Sequence, residues 1–93
     1  MTESTNDPQA RIGELRDGID TIDCKLVELL NERARLALAI RALKPDANLS
    51  LYDPKREEEI FAHLAECNEG PLYGENLREI YETLLHVMKE LRS

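Results

Sequence analysis

From Ile12 to Leu43 the apolar residues recur at steps of three and four that alternate without a slip. The series is Ile12, Leu15, Ile19, Ile22, Leu26, Leu29, then Arg33 in the same register, then Leu36, Ile40 and Leu43. This is the spacing of a seam on helices that pack at a shallow angle. Asp7-Pro8 supplies a helix start, a side-chain cap followed by a residue whose φ is already helical. Apart from Gly13 and Gly18 near the start, no Gly or Pro intervenes before Pro45. The predicted first helix, from about Pro8 to Lys44, would be roughly 55 Å long. A compact globule of this chain length has a radius of gyration of about 12 Å. Such a helix overhangs any globule the remaining residues could build, so its seam calls for another copy of the chain.

Residues 45–52, PDANLSLY, have loop composition. Asp53-Pro54 repeats the cap-and-proline start, and a shorter second helix is expected with Ile60, Phe61, Leu64 and Cys67 on one side. Asn68-Glu69-Gly70-Pro71 ends it, because Gly suits a helix terminus and Pro blocks continuation. A third helix is expected from about Glu75 to the end, with Leu77, Ile80, Tyr81, Leu84, Leu85, Met88 and Leu91 on one face. No strand signal, repeat or low-complexity segment is present. The fold class expected is all-α, three helices with one very long N-terminal helix, assembled as a dimeric bundle. Residues 1–7 are expected to form a disordered N-terminal tail and 8–93 the one domain.

Composition removes several functional classes. At 93 residues the chain has no room for a nucleotide-binding βαβ array or an α/β barrel. Aromatics at 4% leave little for base stacking, and a net charge of -7 opposes general nucleic-acid binding, which needs a basic face. No apolar run approaches a bilayer span, so no membrane partner is expected. The polar start MTESTNDP has no apolar core of a secretory leader, and a cytoplasmic location is expected. Cys24 and Cys67 form no CxxC pair and read as reduced thiols.

Arg33 is the conspicuous residue, a permanent cation on an apolar seam. An unpaired buried guanidinium is costly, so something anionic must meet it. Either that is a Glu from another helix, or Arg33 belongs to an anion site. Lys44 follows three turns later, on nearly the same face. Arg56 stands in the first turn of the second helix, where the helix dipole prefers negative charge; an exposed pair with Glu59 or Glu57 is its plain alternative. Arg16 lies roughly 26 Å of helix rise from Arg33, so one small ligand could touch both only if they came from different chains of an antiparallel dimer. Asp53 is accounted for as a cap. Glu57 is either part of a solvated acidic run with Glu58 and Glu59 or a hydroxyl acceptor. His63 and Cys67, spaced i and i+4, are too few for a metal site, and no metal or other cofactor is expected. His86 falls off the apolar face. No nucleophile motif is present. Such a set suits binding a small polyanion, or a reaction that needs only positioning and electrostatics.

These residues resemble the all-helical chorismate mutases, the AroQ class, over about residues 9–92. The marks are LRDGID at Leu15–Asp20, LLNERARLALAI followed by Lys44, and YDPKREEEI at Tyr52–Ile60. GPL at Gly70–Leu72 and IYETLL at Ile80–Leu85 look like the third-helix pattern of members fused to or partnered with an aromatic-pathway synthase. The resemblance implies an intertwined homodimer with two sites, each using both chains. It also implies an isomerase of the shikimate pathway that rearranges chorismate to prephenate, towards aromatic amino acids. By this resemblance Arg33 and the other chain's Arg16 hold the substrate's carboxylates, and Lys44 meets a carboxylate and the ether oxygen of the breaking bond. Arg56 lends charge, while Asp53 and Glu57 face the ring hydroxyl.

Two positions depart from the family pattern. Arg92 stands where the family has a Gln or Glu that contacts the ether oxygen, and Met88 where a small polar residue is common. Arg92 is then a second cation, or points away at the helix end, or the register differs so that Glu90 enters. Three other functions remain open on sequence alone: an isochorismate-pyruvate lyase on the same scaffold, a non-catalytic regulatory module of a shikimate-pathway enzyme, and a plain coiled-coil protein. The last leaves Arg33 and Lys44 unexplained.

Overall fold

The structure, a computed structural model, describes residues 7–47 and 53–91. Three helices account for most of these residues: α1 (Pro8–Leu43), α2 (Pro54–Cys67) and α3 (Gly74–Glu90). No strand occurs among the described residues. Helix number, order and the long first element are those expected from the sequence. The first and third helices each stop a little short of the expected end, α1 at Leu43 and α3 at Glu90.

Each start has a visible cause. Asp7 Oδ1 accepts from the Gln9 amide at 3.1 Å, and Arg11 N donates to Asp7 O at 2.9 Å. Asp53 Oδ1 accepts from Arg56 N at 3.0 Å, with Pro54 as the first helical residue. The start of α3 works in reverse: Asn76 Oδ1 reaches back to the Tyr73 amide at 3.1 Å. Between α2 and α3 the turn is built by Asn68, whose Oδ1 accepts from Gly70 N at 3.0 Å while Nδ2 donates to Leu72 O at 2.9 Å. Gly70 there has φ +82°, a backbone region that residues with a Cβ avoid.

The chain divides into two compact units, Met1–Arg33 and Ala34–Ser93, with the boundary inside α1. In the first unit every described residue is exposed except Ala10 and Arg33, which are half-buried. The predicted seam is therefore uncovered: Ile12, Leu15, Ile19, Ile22, Leu26 and Leu29 are all exposed. Val27 and Leu30 are exposed too and widen the stripe beyond the residues singled out by spacing.

The second unit pairs α2 with α3. Glu57 meets Lys89 near one end and Phe61 meets Arg78 further along, so the two helices run antiparallel. The Arg78 guanidinium sits 4.1 Å from the Phe61 ring centroid, a cation–π contact. Ile60, Phe61 and Leu64 of α2 and Leu77, Tyr81, Leu84 and Leu85 of α3 are half-buried, as their spacing implies, whereas Cys67 and Ile80 are exposed. Met88, at 8% exposure, is the one buried residue among those described. One chain thus leaves much of its apolar surface without cover.

Candidate functional site

The D-P-x-R-E segment folds as the capped first turn of α2. Asp53 is half-buried and spends one carboxylate oxygen on the Arg56 amide. The Arg56 side chain is exposed and lies 3.6 Å from Glu59, the plain pair that its spacing allowed. Such an exposed pair stabilises the helix by less than about 1 kcal/mol, so it leaves the guanidinium available. Glu57 is half-buried, and its Oε2 pairs with Lys89 Nζ of α3 at 2.6 Å. In the single chain Glu57 therefore pairs with Lys89, a partner that neither sequence reading of Glu57 named.

Lys44 lies just beyond α1, and its amide still bonds to Ile40 O at 3.0 Å, so it continues the helical frame. Its side chain is half-buried. One turn earlier, Arg41 makes contacts that sequence reading missed. Its Nη1 donates to Leu91 O at 2.5 Å, and its Nη2 donates to Met88 O and Lys89 O, each at 3.0 Å. These carbonyls belong to the end of α3, where a helix has no N–H donors of its own left to meet them. The only signal in the sequence was a cation in the last turn of α1, which a favourable dipole interaction with that helix already explains.

Met88 is held by this arrangement with its side chain buried. Arg92 lies outside the described residues, as do residues 1–6, most of the expected tail. Its remaining residue, Asp7, caps α1. An open depression between α2 and α3 is lined by Glu57, Phe61, Arg78, Glu82, His86 and Lys89. It includes Glu57 and none of Lys44, Asp53 or Arg56. In the first unit Arg16 is exposed and Arg33 half-buried. His63 Nε2 and Cys67 Sγ lie 3.5 Å apart on an exposed surface, and among the described residues no cluster of three or more His, Cys, Asp or Glu could hold a metal. His86 is exposed beside Glu90.

Comparison with known proteins bears on this helical order and these motifs. The family model for chorismate mutase type II matches residues 15–93. This chain belongs to the type II chorismate mutase family. Among its relatives, the bifunctional chorismate mutase/prephenate dehydratase of Aquifex aeolicus is 42% identical over 80 residues, covering 86% of this chain and 21% of that protein. The chain spans about a fifth of the length of the bifunctional relatives it matches. The chorismate mutase of Methanocaldococcus jannaschii is 29% identical over 83 residues, with 88% of this chain and 84% of that one covered. Form II of the chorismate mutase from Thermus thermophilus superposes with a TM-score of 0.83 at 37% identity, covering 87% of this chain and 92% of that chain. The matched span holds Arg16, Arg33, Lys44, Asp53, Arg56, Glu57 and Met88. Among the described residues no helix is long and apolar enough to cross a membrane.

Proposed function

We propose that this chain is a chorismate mutase, acting as a homodimer whose domain is residues 8–93. The observation that carries the proposal is Arg33, a cation in the register of an otherwise apolar seam, within a chain of this family. Arg33, Lys44 and Arg56 supply positive charge on a chain of net charge -7, and cations gathered in one site attract a dicarboxylate locally. The exposed stripe on α1 supports the dimer: a second copy would cover Ile12 to Leu29 and bring its own Arg16 towards Arg33.

In this reading Arg33 and the second copy's Arg16 clamp the two carboxylates. The forked guanidinium suits each carboxylate in a bidentate manner. The clamp holds the compact conformer in which the bond-forming carbons approach. The rearrangement then runs within one molecule: the C–O ether bond breaks as a C–C bond forms, and no proton moves to or from the protein. This agrees with a cationic set that lacks a nucleophile. Lys44 donates to the ether oxygen as negative charge gathers there, with Arg92 a further cation for the same atom. Asp53 and Glu57 take the ring hydroxyl, for which Glu57 must exchange its Lys89 contact. Met88 contributes an apolar wall.

The test follows chorismate absorbance with purified protein beside Arg33→Ala. Wild type should consume chorismate and form prephenate, and the variant should lose most of that activity. Equal inactivity of the two would overturn the proposal in favour of a binding module. Pyruvate release from isochorismate, without turnover of chorismate, would instead assign the lyase.

A further inference from the structure

We infer that Arg41 is a positioning residue for the site, resting on the mutase reading above. Its guanidinium ties the end of α3 to the turn of α1 that leads into Lys44. The last carbonyls of α3 have no partners within the helix. The Leu91 amide reaches only Met88 O, and at a long 3.4 Å. Arg41 supplies the missing donors: three carbonyls, Met88, Lys89 and Leu91, converge on its two terminal nitrogens. A planar fork is matched to this task, and a cation there also meets the negative end of the helix dipole.

The consequence comes from what lies on either side. Arg41 and Lys44 are three residues apart in one helical frame and so share a face. On the other side, Lys89 pairs at 2.6 Å with Glu57 in the first turn of α2, the turn whose frame Asp53 fixes by capping. A continuous path therefore runs from Lys44 through Arg41 to the end of α3, and through Lys89 to Glu57, Arg56 and Asp53. It joins three segments that carry proposed site residues and places Met88 at its centre. Arg41 itself spends its donors on backbone carbonyls. Its effect on the reaction is to hold Lys44 in register with the start of α2. Misplacement of about 1 Å in a preorganised site can cost on the order of 100-fold in rate.

The experiment compares wild type, Arg41→Ala and Arg41→Lys as full chains, by steady-state kinetics on chorismate and by amide hydrogen exchange of the segment 85–91. The expected result for Arg41→Ala is a kcat lowered about 10- to 100-fold with KM changed less than about threefold, because a displaced Lys44 costs more in the transition state than in the ground state. Exchange at the end of α3 should speed up at least about tenfold, as its carbonyl acceptors lose their anchor. Arg41→Lys keeps a cation without the fork and should fall between the two in both measurements, and it serves if the alanine variant fails to fold. A kcat within twofold of wild type overturns the role, even if exchange accelerates. So does unchanged exchange, or an activity loss that vanishes once rates are divided by the folded fraction. A wild type that does not turn over chorismate sinks the mutase reading and the positioning role with it, while the exchange measurement still decides whether Arg41 anchors α3.

Discussion

Leu26→Ala probes the proposed dimer at the middle of the exposed α1 stripe. In one chain Leu26 is 49% exposed, although it falls in the register of the seam. The substitution removes three carbons, worth about 2.4 kcal/mol at full burial on a scale of roughly 0.8 kcal/mol per carbon. Close to half of that is the share a partner would have to cover, about 1.2 kcal/mol per chain. A symmetric dimer contains the change twice, so its dissociation free energy should fall by about 2.4 kcal/mol, or roughly 50-fold in Kd. Any cavity left behind would add to this. Glu28→Ala, two residues along and off the seam, serves as control and should move Kd less than threefold. The assay is sedimentation equilibrium over a dilution series. A wild-type mass of 10.7 kDa at micromolar concentration refutes the second copy, and an unchanged Kd for Leu26→Ala refutes its place in the interface.

Two further outcomes follow from the site. Lys44→Ala should lose turnover far more than affinity, because its contact with the ether oxygen strengthens as charge develops; steady-state kinetics showing only a raised KM would contradict that role. Asp53 can be separated into cap and charge: Asp53→Ala should cost about 1 kcal/mol of stability through the lost bond to the Arg56 amide, seen as a lower Tm. Asp53→Asn should keep the cap and the Tm, so any activity it loses reports the carboxylate itself; equal Tm losses in both variants would contradict the cap.

Periodicity and punctuation carried most of the fold in the sequence. The three-four register of Ile12 to Leu43, the two Asp-Pro starts and the Asn-Glu-Gly-Pro stop are local rules, each satisfied by backbone and neighbouring side chains alone. They locate α1, α2 and the start of α3 to within a residue or so, and the apolar spacing picks out most of the half-buried faces of α2 and α3, Cys67 and Ile80 excepted. The candidate residues were legible for a different reason. A cation in an apolar register, or in the first turn of a helix, contradicts the local preference, and Arg33 and Arg56 are conspicuous because they do. Lys44 joined them by lying three turns beyond Arg33 on nearly the same face, and Asp53 through a motif shared with a family.

What the tertiary structure alone decided concerns residues whose local setting was already satisfactory. Arg41 fits the last turn of its own helix, and Lys89 fits the last turn of α3. Nothing in the sequence asks for more from either. Only the approach of α3 sends the Arg41 fork to carbonyls about fifty residues away, and only the antiparallel pairing of α2 and α3 hands Glu57 to Lys89. Sequence rules report contacts within a turn or two of the chain, because that is as far as helical geometry fixes distance. Contacts made across elements depend on how whole faces pack, and there a residue's partner is chosen by its neighbours in space.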